Sequence, residues 1–200
     1  MKLWIALIIL ALLVAPKALA DDAPSTPEHD AEQQTHPDSA EGQPTPERQA
    51  IAALLSHHHD VPDRAALEDA ADDPRQVVFE IARDDDSFVF HRQRALNALT
   101  HWPDEEVYDY LVGLLDDDST EDGLRHHLLP IVADGFGDDA LDAIEPYLVD
   151  ADDPQIRISA AAAIAEISSD DSRQLLQDAL EVEEHPVVSS RLRTHLDEQH

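Results

Sequence analysis

The sequence predicts an all-α fold, an α-solenoid in which antiparallel helix pairs stack on one another. Three observations predict it. The chain of 200 residues has five glycines and 4% aromatic residues, and much Ala and Leu, a composition that disfavours an all-β domain. Apolar residues recur at helical spacing between short polar gaps, and no strand-like alternation of useful length appears. Three ladders then share a period near 33 residues. Ile81, Leu114, Leu148 and Leu180 end successive apolar runs at intervals of 33, 34 and 32. Arg92, Arg125, Arg157 and Arg191 recur at 33, 32 and 34. The acidic pairs Asp104-Glu105, Asp138-Asp139 and Asp170-Asp171 recur at 34 and 32. Such a unit holds two helices of about a dozen residues and two turns. One pair cannot bury its own apolar face, so pairs must stack.

Taken in order, Met1 and Lys2 open the chain with positive charge, and Leu3 to Ala15 is a run of thirteen apolar residues. Pro16 ends the run, and Ala18-Leu19-Ala20 supplies a small-residue cleavage site before Asp21. This order predicts a secretory signal peptide over 1–20. The run is shorter than the roughly 20 residues that a spanning helix needs. The expected location is therefore outside the cytoplasm, periplasmic or secreted, with no membrane span after cleavage. Residues 21–46 have five prolines, seven acids and no arginine. They lack the apolar surface that offsets chain entropy, and a disordered acidic linker is expected.

From 47 to 200 the periodic domain is expected. Ala50, Ile51, Leu54 and Leu55 fit one helix face, as do Leu96, Leu99 and Trp102. Val107, Leu111, Leu114 and Leu115 fit the next, followed by Leu128, Ile131, Val132 and Phe136. Leu141, Ile144 and Leu148, then Ile156, Ala160, Ile164 and Ile167, then Leu175, Leu176 and Leu180 complete the series. The short gaps predict antiparallel neighbours. Val187 to Leu196 reads as a final capping helix, and Pro154 and Pro186 are placed to start helices.

Charge and residue usage remove whole classes of function. The formal charge is −31, from 13 Lys and Arg against 44 Asp and Glu. Phosphate backbones and anionic membrane surfaces are repelled, so nucleic acid is not an expected partner. With no cysteine, disulfides, thiolate metal sites and cysteine nucleophiles are impossible. Both lysines, Lys2 and Lys17, precede residue 21. The preference for Arg over Lys and Asp over Glu fits a GC-rich genome or a saline habitat, in which salt screens the self-repulsion of an acidic surface.

The stretch Asp152-Asp153-Pro154-Gln155-Ile156-Arg157, the Ala-rich run Ala160–Ala163 and the turn acids Asp170-Asp171 resemble a bacterial HEAT repeat of the phycobilisome-lyase-like type. Residues 152–180 carry the resemblance best, and 122–149 and 88–115 follow more loosely. Phe136-Gly137-Asp138-Asp139 stands at the inter-helix turn of the middle unit, where the unit before it has His101-Trp102-Pro103-Asp104. The resemblance covers about 70–195. It implies that the arginine ladder braces the stack by pairing with acids of neighbouring turns. It also implies that the second helix of each pair lines a concave side. On that side Tyr108, Asp142 and Gln174 form one row, and Glu105, Asp139 and Asp171 form an acidic row one turn earlier.

These six residues are the candidate binding surface, suited to a basic segment of a protein partner. No cofactor and no enzyme activity is expected. The chain lacks a Gly-rich phosphate loop, a Gly-x-Ser-x-Gly elbow, a His-Glu-x-x-His pair and any His-Glu dipeptide. The alternative is a divalent-cation-binding or structural envelope module stiffened by Asp-rich turns. Asp116 to Gly123 is the best such stretch, yet its glycine falls at position eight where an EF-hand needs six. Asp is equally at home in turns and at helix N-termini. His57-His58-His59 and His126-His127 do not converge on one ion from a helix, where neighbours point about 100° apart, and no metal site is assigned.

Overall fold

A computed structural model of the chain describes residues 44–57 and 61–198. The expected signal peptide, the linker up to residue 43, and His58, His59 and Asp60 lie outside the described residues. Among the described residues ten α-helices follow in order: α1 Pro46–Leu55, α2 Arg64–Ala70, α3 Pro74–Arg83, α4 Val89–Ala98, α5 Glu105–Asp116, α6 Asp122–Phe136, α7 Leu141–Val149, α8 Pro154–Ile167, α9 Asp170–Val182 and α10 Pro186–Glu198. Short 3-10 turns, Leu99–His101 and Gly137–Ala140, extend α4 and precede α7. Among the described residues there is no strand, so the fold is all-helical.

Six of the helices, α1, α2, α3, α5, α8 and α9, start where a small polar side chain meets the orphan amides of a first turn. The Ala66 amide donates to the Asp63 carboxylate at 2.8 Å, Gln76 to Asp73 at 3.1 Å, Val107 to Asp104 at 3.0 Å and Gln155 to Asp153 at 2.8 Å. Ser169 and Ser172 cap α9 reciprocally, each amide donating to the other's hydroxyl at 3.0 Å. Caps of this kind contribute about 1 kcal/mol each. Four of the aspartates that punctuate the sequence, Asp63, Asp73, Asp104 and Asp153, thus start helices. Thr45 caps α1, so helix begins at Pro46, one residue before the expected boundary at 47.

The helices pack through the apolar faces that the spacing predicts. Ile51 and Leu55, Leu96 and Leu99, Val107, Leu111 and Leu115, Leu128 and Val132, and Ile144 and Leu148 are all buried. Helix α6 lies against α8, and α8 against α10, while α5 crosses to α6, α7 to α8, and α9 to both α8 and α10. Helix α8 therefore has neighbours on several sides. Its buried small residues, Ser159, Ala160, Ala161 and Ala163, permit that close approach.

Glycine is demanded at two places near the end of α6. Gly137 caps the helix with φ +55° and ψ −131°, a conformation that L side chains rarely adopt. A Cβ on Gly135 would stand 2.8 Å from Cγ2 of Thr100. The 3-10 turn after α4 thus presses directly onto α6.

Candidate functional site

The arginine ladder is the first feature to place. Arg92 donates through Nε to the Ala82 carbonyl at 3.0 Å and pairs with Asp85 at 2.7 Å. Arg125 repeats this one unit on, with Nε to the Leu115 carbonyl at 3.2 Å and Nη2 to the Asp117 carbonyl at 2.7 Å. Arg157 bonds the Ala151 carbonyl and pairs with Glu183, Nε to Oε2 at 2.8 Å. Each guanidinium thereby satisfies carbonyls left open near a helix C-terminus. Arg191 differs: it is exposed, and no ion pair joins it to a described residue. It lies in α10, after which the described chain offers no further turn to brace.

Two tyrosines complete the brace, and the periodicity of the sequence does not expose them. Tyr110 donates its hydroxyl to the same Ala82 carbonyl at 3.0 Å, and Tyr147 to the same Leu115 carbonyl at 2.6 Å. They stand 37 residues apart, although the Ala82 and Leu115 carbonyls they bond are 33 apart, so they fall off the 33-residue ladder. Burial raises both phenols, and a hydrogen bond to Asp116 helps to push Tyr147 up to about 12. A cleft lies beside each clasp. One, of about 720 Å³, includes Arg83, Arg92, Tyr110, Leu114 and Leu124 in its lining. The other, of about 760 Å³, includes Arg125, Tyr147, Ile156, Asp118 and Asp150.

The acidic rows divide in two. Glu105, Tyr108 and Asp139 come together around a shallow notch of about 360 Å³, with Pro103, Asp104 and Phe136 as the other walls. The Tyr108 ring meets Phe136 edge-on, with centroids 5.1 Å apart and planes at 79°. Its hydroxyl donates to the Asp139 carbonyl at 3.2 Å. Burial, and then the charges of Asp142 and Asp139, raise the Tyr108 phenol. Asp142 is exposed on α7 and acts on the notch through its field alone. Asp171 and Gln174 lie on α9 outside the notch, and Gln174 donates to Asp178 at 2.8 Å. Asp104 is not free: the Val107 amide and Arg75 hold its carboxyl below the ordinary range. Phe136 reads in the sequence as a core residue, and its second role as a wall of the notch is visible only in the fold.

The aspartate and histidine motifs are occupied by local structure. In the 116–123 stretch, Asp117 accepts the Ser119 amide at 2.8 Å and its hydroxyl at 2.7 Å, which lowers the Asp117 carboxyl. Asp84 does the same for Asp86 and Ser87, 33 residues earlier. His126 bonds Ser159, and His127 bonds the Gln93 carbonyl at 3.2 Å, so the adjacent pair reaches in two directions. His57 follows α1 and is exposed. Among the described residues no group of three or more His, Asp or Glu is placed to hold a metal ion. Among the described residues no helix is long and apolar enough to cross a membrane.

Comparison with protein-family models, with curated proteins and with solved structures returned no match.

Proposed function

We propose that the chain is a non-enzymatic, exported α-solenoid of HEAT-like repeats that binds a basic segment of another protein through its acidic face. The solenoid reading is supported by the recurrence of one device, an Arg and a Tyr closing on the end of the preceding helix, at Ala82 and again at Leu115. Export is supported by the order of charge, apolar run and Ala-Leu-Ala at residues 1–20.

The observation that carries the binding reading is how the charge is used. Residues 104–200 hold 26 carboxylates against five arginines, whereas 47–103 hold eleven against six. The candidate carboxylates Glu105, Asp139, Asp142 and Asp171 are exposed, and none pairs with a described cation. Unpaired charge of one sign on a folded surface steers an oppositely charged partner and selects against like-charged ones.

Cross-linked affinity capture tests the proposal. The full chain is the bait on native envelope and culture fluid, with carboxylate-reactive chemistry because residues 21–200 contain no lysine. The expected result is a saturable basic partner cross-linked to 104–112 or 138–147 and lost in the Tyr108→Ala, Asp142→Ala double variant. Enrichment no greater than that of a charge-matched acidic control would overturn it.

A further inference from the structure

Among the described residues, half of the aromatic rings, those of Phe79, Phe90, Trp102 and Tyr110, are covered by the domain's own cations. Arg64 lies over Trp102 at 5.7 Å, and Arg94 over Phe90 at 5.3 Å. Arg75 and Arg83 both lie over Phe79, at 4.9 and 4.3 Å, and Arg83 also reaches Tyr110 at 5.1 Å. The rings of Tyr108 and Phe136 pack on each other instead, and no described arginine stands over either. This pair nevertheless has carboxylates at its rim. Glu105 and Asp139 line the same notch, and Asp142 is close enough to raise the Tyr108 phenol.

No arginine is among the residues that line the notch. Arg75 spends its Nη2 on Asp104 at 2.9 Å and on Glu106 at 2.7 Å, and stacks on Phe79. It thus pairs with Asp104, a wall of the notch, and with Glu106 outside it, and leaves Glu105 and Asp139 unpaired. Pro103 adds a rigid apolar wall that brings no positive charge.

We propose that the Tyr108–Phe136 notch is a cation-binding site that seats one arginine or lysine side chain from the basic segment of a partner protein. The alkyl stem lies along Pro103 and the rings, and the charged head lies between the Glu105 and Asp139 carboxylates. An aromatic face attracts a cation through its quadrupole, and the attraction grows where water is partly displaced. The notch supplies both terms, since the hydroxyl of Tyr108 is already held by the Asp139 carbonyl and the ring is fixed before the cation arrives. The inference rests on the acidic-scaffold reading and names the anchor within it.

The test is calorimetric titration of the full chain with hexa-arginine at low ionic strength, against variants whose helicity and melting match the parent. Tyr108→Leu is expected to weaken binding about fivefold, as loss of a partly exposed cation–π contact predicts. Tyr108→Phe is expected to lose less affinity than Tyr108→Leu, because the ring remains although the hydroxyl bond that fixes it is gone. Glu105→Gln with Asp139→Asn is expected to weaken binding and flatten its salt dependence. Equal affinity of Tyr108→Leu and the parent would overturn the notch; if the charge variants still lose affinity, the acidic-surface reading survives alone. Equal loss in Tyr108→Phe and Tyr108→Leu would overturn the role of the ring. Failure of hexa-arginine to bind the parent would overturn both readings. Monomeric arginine amide binding as tightly as the hexamer would overturn the protein segment as the occupant.

Discussion

Arg157 and Arg191 occupy successive rungs of one ladder and do different work. The Arg157 side chain is 14% exposed and its partner Glu183 is 9% exposed. Burial alone would raise the Glu183 carboxyl, yet the bonds from Arg157 and from the His185 amide hold it below the usual range. Replacing Arg157 by Met leaves that carboxylate buried without its cation, an expected loss of about 3 kcal/mol in a urea melt. Arg191→Ala removes an exposed side chain and should stay within about 0.5 kcal/mol of the parent. Tyr147 gives a complementary test at high pH. Its phenol is pushed up to about 12, above the unfolded value near 10. The neutral form is therefore favoured by folding, and its contribution is whole below about pH 10 and disappears toward pH 12. Tyr147→Phe should cost about 1 kcal/mol at neutral pH, the usual worth of such a bond. It should also lose part of the alkaline fall in stability, read from melts across that window.

At the scale of the element, the approach of the 3-10 turn Leu99–His101 to α6 is the tightest contact that a side chain would disturb. Gly135→Ala pushes a methyl against Thr100 Cγ2, whose rotamer is held by a 2.8 Å hydrogen bond from its hydroxyl to the Asn97 carbonyl. The expected cost is about 1–3 kcal/mol, as in other overpacked contacts. Thr100→Ser removes the nearer carbon, leaving Cβ at 3.1 Å, and should restore part of that loss in the double variant. A destabilised double variant with no restoration would place the strain elsewhere. The end of α8 offers the opposite change. Ser168 sits in the left-handed region at φ 56° and ψ 34°, where Gly carries no Cβ penalty. Ser168→Gly should raise stability by up to about 1 kcal/mol.

For the molecule as a whole, the acid excess that suits a basic partner also repels itself. The melting temperature of the folded domain is expected to climb as salt rises from dilute buffer to molar concentration, through screening. A flat response in calorimetric scans would show that the carboxylates are already too far apart to repel. Much of this organisation was legible in the sequence. Ile81, Leu114, Leu148 and Leu180 mark the last turns of α3, α5, α7 and α9 because an apolar run must end where its helix leaves the core. The acids that follow mark turns and caps because Asp bonds its own neighbouring amides. Less of the site was legible. Tyr110 and Tyr147 fall out of step with the period, and Phe136 carries an apolar pattern indistinguishable from core until Tyr108 is packed beside it. Asp171 and Gln174 follow the repeat shift from the notch residues, yet the notch ends before α9, because its walls come from the start of α5 and the turn after α6.

The most direct test of the binding account is hydrogen–deuterium exchange of the full chain with and without hexa-arginine. The account predicts added protection concentrated in 103–112 and 136–147, weaker in Tyr108→Leu and absent at high salt. Protection spread evenly over the acidic turns, or centred on the Arg92 and Arg125 clefts, would contradict it.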